Sequence, residues 1–353
     1  MEYLKSINNK LNKISENNIE YFDLFDRPDL VYGNINAFQE RVNFCKIPIE
    51  SQEEIRNNWK TCTHSLDLFK NASCGNVIRL HTNSKKLILK ANIQRDESFE
   101  KALNWNSMGF DIYNIENDGK YKHNNIFAPM DGHNIFANTI RVPEHGNICI
   151  YLPNFTEIKE MQIGVLKGKT VEAYKYPENK LPIIFYGNSV TQGAAASRSG
   201  NTFPNIISRK LNNEIINLSS SSCCKGIKSM ADMIGRINCQ CIVIDYTRSA
   251  TSAKMLQDTH ETFYKTIRKY HPDKKIILLT TEGFNDWRLS NSFDKIVSRT
   301  YKNAKLNGEN TEIINQRKLF SEEEYSYVGI DSAHYTDYGM YKIADAICDK
   351  IVE

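Results

Sequence analysis

The sequence predicts an antiparallel β-sandwich of jelly-roll type followed by an α/β half, in which helices cover both faces of a parallel sheet. Two observations lead there. Between about residues 40 and 175 the apolar segments are short, alternating and bounded by turn residues, as in a sandwich strand with one buried face. From about residue 182 onward, near-continuous apolar runs of strand length alternate with helical patterns, which means strands buried on both sides. The polar, proline-containing stretch Tyr176–Lys180 separates the two regimes and sets the expected domains at 1–178 and 179–353.

In the first half the predicted strands run over residues 76–81, 86–91, 135–140, 147–152 and 161–165. No helical period is read between them. The first 25 residues, rich in Asn and Lys, are read as a helix. In the second half, predicted strands cover 183–186, 214–218, 241–245, 275–279 and 311–314. Between them lie a helix entered at Pro204 and one through Met230 to Ile237. A third has Leu256, His260, Phe263, Ile267 and Tyr270 on one face. Another surrounds Phe293, Ile296, Val297 and Tyr301, and the last shows Met340, Ile343, Ala344, Ile347 and Ile351 on one face.

Bulk properties exclude some functions. Forty-five basic against 42 acidic residues leave a net charge of +3, without a Lys/Arg run, so no nucleic-acid partner is expected. No window approaches 18 consecutive apolar residues, and the first residues lack the apolar core of a signal peptide; a cytoplasmic protein with no membrane partner is expected. In that compartment nine cysteines, an odd number, are read as reduced thiols. Cys239 and Cys241 open a strand and are read as packed thiols rather than metal ligands; Cys223 and Cys224 are read as packed or half-exposed thiols rather than nucleophiles. His133 and His145 are read as surface residues. No metal and no cofactor is expected.

Two segments carry chemistry. Tyr186–Gly193 (YGNSVTQG) is a small-residue turn presenting one serine after the first strand of the α/β half. Asp331–His334 (DSAH) offers a carboxylate and an imidazole just before the last helix. A serine hydroxyl is a poor nucleophile until a base takes its proton. Ser189 is the candidate nucleophile, His334 the base and Asp331 the group that orients the imidazole. In doubly wound sheets ligands bind outside the carboxyl ends of the strands, which is where Ser189 falls.

These two blocks resemble those of the SGNH (GDSL-type) hydrolase superfamily. The continuation Ala194–Gly200 with Pro204–Asn205 resembles one branch of it, whose N-terminal β-sandwich carries a Gly-x-Asp-Leu-Tyr motif; here Gly109–Tyr113 reads GFDIY. The resemblance covers roughly residues 30 to 353. It implies a flavodoxin-like α/β/α catalytic half, hydrolysis of a small-molecule acyl ester, often on a carbohydrate, and no metal. It also implies the triad roles given above, with the Ser189 N–H as one oxyanion donor.

The middle blocks depart from the family pattern. Ser222 stands at the position of the second-block glycine, whose N–H is an oxyanion donor. Ser249 stands where the third block has an asparagine, so its hydroxyl or the Arg248 guanidinium is the candidate replacement. Asn188 replaces the first-block aspartate. Arg198 and Arg248 are candidates to bind an anionic substrate group. Gly283–Asp286 spells the family's Gly-x-Asn-Asp after the wrong strand and is read as coincidence, with Trp287 and Arg288 as candidate pocket neighbours. Three readings follow: an esterase, an acyltransferase using the same apparatus, and a carbohydrate-binding relative with impaired catalysis.

Overall fold

The computed structural model describes residues 16–36, 39–94, 102–129, 133–282 and 287–352, the side chains of 16 and 287–291 excepted. The first half holds β1 (Ile19–Asp23), β2 (Val31–Tyr32), β3 (Val77–Thr82), β4 (Lys86–Gln94), β5 (Phe110–Ile115), β6 (Tyr121–Phe127), β7 (Ile135–Arg141), β8 (Gly146–Tyr151), β9 (Glu157–Leu166) and β10 (Val171–Ala173). One sheet has the order β1-β9-β4-β7, the other β10-β3-β8-β5-β6 with β2 on β3. Alternation explains how they stack. Ile78 and Leu80 of β3, Ile148 and Ile150 of β8, Leu87 and Leu89 of β4 and Ile163 and Val165 of β9 point into one shared core. The predicted sandwich is present.

Two details differ from expectation. The described part of the N-terminal segment contains strand β1 paired with β9, where a helix was predicted. Its Ile19-Glu-Tyr-Phe-Asp run favours a strand once an edge is available. Helices also interrupt the first half: α1 (Ile49–Asn58), α2 (Thr63–Phe69) and the single turn α3 (Asn104–Ser107). Ile47, Ile55, Cys62 and Leu66 share a core with Ile184, Ile242 and Ile276 of the parallel sheet. The α1–α2 segment thus covers the second half although it precedes the sandwich strands in sequence. Its own apolar positions are few, which is why no period was visible.

The second half contains β11 (Ile183–Gly187), α4 (Ser189–Gln192), α5 (Phe203–Leu211), β12 (Ile215–Asn217), α6 (Lys228–Arg236), β13 (Cys241–Asp245), α7 (Ala253–Tyr270), β14 (Lys275–Leu279), α8 (Trp287–Leu306), β15 (Thr311–Ile314) and α9 (Asp337–Val352). All strands pair in parallel in the order β12-β11-β13-β14-β15. This is the flavodoxin-like order, with a topological switch at the carboxyl ends of β11 and β13. Every residue of β11 and β13 is buried, as strands covered on both faces require. Tyr270, predicted on the core face of α7, is 43% exposed at the helix end, its ring lying over Gly235.

The outer face of the β3-β8-β5 sheet docks on the α/β half through tyrosines and arginines. Arg209 of α5 lies over Tyr113 (4.7 Å) and Tyr151 (5.2 Å), and Arg79 lies over Tyr176 at 3.8 Å. The Gly-x-Asp motif works at this seam. Asp111, fully buried, accepts the Gly200 N–H at 3.0 Å and faces Arg198 at 3.4 Å, while the Ser199 hydroxyl donates to the Gly109 carbonyl at 2.8 Å. A Cβ on Gly200 would lie 2.4 Å from the Asp111 carboxylate, so only glycine fits. The first-half motif thereby holds the loop that leads away from Ser189.

Candidate active site

Ser189 sits where β11 ends, at the first position of α4, with Asn188 as the N-cap whose side-chain oxygen accepts the Val190 N–H at 2.7 Å. It is partly exposed while its neighbours Asn188 and Val190 are buried, so the turn presents a single hydroxyl. As a first-turn residue its N–H has no partner inside the helix and points outward. Gly187 lets the turn close: a Cβ there would meet the Thr191 hydroxyl at 2.2 Å.

The Ser189 hydroxyl lies 2.9 Å from Nε2 of His334, and Nδ1 of His334 lies 2.8 Å from one carboxylate oxygen of Asp331. The other Asp331 oxygen accepts the N–H groups of Ala333 and His334, both at 2.8 Å. Burial pushes the Asp331 carboxyl up, but the backbone N–H and ring of His334 and the Ala333 N–H outweigh it and hold it below the usual carboxylate range. An ionised Asp331 keeps the His334 proton on Nδ1 and leaves Nε2 to accept from Ser189. The three residues named from sequence meet in one hydrogen-bonded line.

Other predicted residues fall differently. Ser222 is exposed and has φ +61°, the left-handed conformation that favours glycine. The glycine-like backbone is thus retained with a serine on it, at a cost of order 1–2 kcal/mol. Ser222→Gly is expected to keep or raise turnover of nitrophenyl acetate, whereas Ser222→Val lowers both the rate and the unfolding temperature. A valine variant equal to the wild type in both measurements would contradict this.

Ser249 lies on the turn after β13 and is buried, and its hydroxyl has no hydrogen-bond partner among the described residues. Arg248 donates to the main-chain carbonyl of Glu282 at 3.3 Å. Arg198, read as a candidate substrate anchor, is instead turned to Asp111 at the seam. Burial pushes the Cys223 and Cys224 thiols up to about 12, which makes them poor nucleophiles. Among the described residues no group of three His, Cys, Asp or Glu side chains could hold a metal ion. Residues 283–286, spelling Gly-x-Asn-Asp, lie outside the described residues, as do the side chains of Trp287 and Arg288.

Sequence reasoning missed the supports of the site. Lys225, buried, donates to the Ser249 carbonyl, and Lys46, also buried, donates to the Ser219 carbonyl at 2.6 Å. Two ammonium groups therefore brace the segments carrying Ser222 and Ser249. Asn106 of the first half donates to the Gly193 carbonyl at 2.7 Å, and Gln192 donates to the Asn154 carbonyl at 2.9 Å, fixing the far end of α4. None of these contacts has a local sequence signature; each joins residues far apart in the chain.

An open parallel sheet with a hydrogen-bonded Ser–His–Asp line at its carboxyl edge is the architecture of an α/β serine hydrolase. Residues 180–352 match the GDSL-like Lipase/Acylhydrolase family, and residues 19–171 match the N-terminus of SGNH-hydrolase-type esterases. The chain belongs to the SGNH (GDSL-type) hydrolase superfamily. A search of curated protein sequences finds no match.

Solved structures share the fold. A Bacteroides ovatus ATCC 8483 protein described as a GDSL-like lipase is 23% identical, with a TM-score of 0.78 over 95% of this chain and 98% of that one. The salicylyl-acyltransferase SsfX3 from a tetracycline biosynthetic pathway is 13% identical, with a TM-score of 0.73 over 96% and 95%. An active-site mutant of a family two carbohydrate esterase from Clostridium thermocellum is 12% identical, with a TM-score of 0.56 over 79% and 92%. None of the described helices is long and apolar enough to cross a membrane.

Proposed function

We propose that this chain is a serine esterase that removes an O-acyl group, such as acetyl, from a carbohydrate or another small hydroxylated molecule. The Ser189–His334–Asp331 line, at 2.9 and 2.8 Å, carries this reading. Ser189 Oγ attacks the acyl carbonyl carbon as its proton passes to His334 Nε2, and the imidazolium is stabilised by Asp331. The tetrahedral oxyanion is met by the N–H groups of Ser189 and Ser222, with the Ser249 hydroxyl in the place of an amide donor. Collapse expels the alcohol, which takes the proton from His334. Water then attacks the acyl-enzyme with the same histidine as base. Each oxyanion donor is worth about 10²–10³ in rate, so the serine at position 249 bears directly on turnover. The sandwich half, whose Asp111 and Gly109 hold the loop after Ser189, walls the pocket.

Acyl transfer is the second reading, favoured by the full-length likeness to a salicylyl-acyltransferase. The acyl-enzyme is common to both; what differs is whether water or a bound alcohol or amine resolves it. Turnover of an acetyl ester with and without added sugar acceptors separates them. An esterase releases acetate at a rate independent of acceptor. A transferase shows acetylated acceptor rising at the expense of acetate. No acetyl release under either condition, with Ser189 unlabelled by a fluorophosphonate, sinks both and leaves a binding protein.

A further inference from the structure

Two carboxylates lie beneath the Ser189 turn, both fully buried: Asp245, at the end of β13, and Glu282, just past β14. The sheet order places β13 between β11 and β14, so both acids gather at the edge from which the turn rises. The turn is tied to each of them. The side-chain amide of Asn188 donates to Glu282, and its main-chain N–H donates to the Asp245 carbonyl at 3.0 Å. Thr191 donates its hydroxyl to the Asp245 carboxylate at 2.6 Å. The second oxygen of Asp245 accepts from the Gln316 amide at 3.0 Å. Tyr335, the residue after His334, donates to the Gln316 side-chain carbonyl at 3.2 Å. A hydrogen-bonded path thus runs from the nucleophile turn, under the sheet edge, to the loop that carries the base.

Glu282 is the costly member of this set. Its second oxygen is buried and has no hydrogen-bond partner among the described residues. A buried carboxyl so poorly satisfied is worse for stability than an amide or an apolar side chain of like size. Burial pushes both acids up, Asp245 to about 7 and Glu282 well above the usual carboxylate range. Asp245 accepts two side-chain hydrogen bonds, from Thr191 and Gln316, whereas Glu282 accepts from Asn188 alone among the described side chains. What Glu282 provides is an acceptor for Asn188, whose other side-chain atom caps α4 at Val190.

We propose that Glu282 is a positioning residue for the nucleophile: it fixes the Asn188 side chain, and through it the rotation of the Ser189 turn, while Asp245, Gln316 and Tyr335 tie that turn to the His334 loop. This rests on reading Ser189 as the nucleophile. The test uses the full chain, a fluorophosphonate probe, and the variants Asn188→Asp and Asn188→Asp/Glu282→Gln. Labelling rates are compared at a temperature where each variant is folded, and unfolding temperatures are recorded alongside. Asn188→Asp sets carboxyl against carboxyl and is expected to slow labelling at least about tenfold, as misplacement of a reacting group does. In the double variant the amide introduced at position 282 donates to the carboxylate introduced at position 188. The other oxygen of that carboxylate still caps Val190, and labelling returns to within about threefold of wild type. If Asn188→Asp does not fold, Glu282→Leu replaces it, with slowed labelling again expected. Wild-type labelling rates in folded single variants, with only the unfolding temperature lowered, would overturn the proposal, as would a folded double variant that stays slow. A wild-type protein that does not label overturns the functional reading itself, and is recognised before any substitution is made.

Discussion

Ser189→Ala is expected to abolish fluorophosphonate labelling and to lower acetyl-ester turnover by about 10⁴-fold or more, while the unfolding temperature stays near the wild-type value. Among the described residues the hydroxyl makes one hydrogen bond, to His334 Nε2, and it sits at a partly exposed position, so its removal opens no cavity in the core. The loss falls on the chemical step because no neighbour can substitute. Cys223 and Cys224 are buried, with thiols held up to about 12. Adding His334→Ala to Ser189→Ala is expected to cost little more, since a base without a nucleophile contributes nothing. Stopped-time turnover of nitrophenyl acetate across the two variants and their combination measures this; a combined loss equal to the product of the single losses would mean that they act independently.

The second large effect belongs to Asp331→Asn. One carboxylate oxygen accepts two main-chain N–H groups and the other faces His334 Nδ1 at 2.8 Å. An asparagine can keep its oxygen on the two N–H groups and then presents its NH₂ to Nδ1. That forces Nδ1 to accept and moves the imidazole proton to Nε2, where it points at the Ser189 hydroxyl. The base is then occupied by the proton it should leave open. A loss of about 10⁴ in turnover is expected with little change in stability, because the turn's own hydrogen bonds survive. Asp331→Ala removes those bonds too and is expected to lower the unfolding temperature as well. Comparing the variants by turnover and by thermal unfolding separates orientation of the imidazole from support of the loop.

How much of this was legible in the sequence depended on how local each signal was. The five parallel strands were read within a residue or two, because burial on both faces writes an uninterrupted apolar run such as residues 241–244. Ser189, His334 and Asp331 were legible because each lies at a strand end or a helix start with a recognisable neighbourhood. The helices at 49–58 and 63–69 were not, since Ile55 and Leu66 are isolated apolar positions whose partners lie in the other half of the chain. Strand β1 was hidden in a polar segment that becomes a strand only by pairing with β9. The supports of the site were the least legible. Glu282, Gln316 and Lys225 look like ordinary polar residues in sequence, and only the fold brings them under Ser189, Asp245 and Ser249. The Ser222 departure was legible as a substitution, but its left-handed backbone at φ +61° is a property of the fold.

Attack by Ser189, activated by His334, is measured by treating the protein with a fluorophosphonate and locating the adduct by peptide mass spectrometry. One adduct per chain is expected, on the peptide containing Ser189, absent from Ser189→Ala and strongly slowed in Asp331→Asn. An adduct on another residue, or none in a folded wild-type protein that still releases acetate, would contradict it.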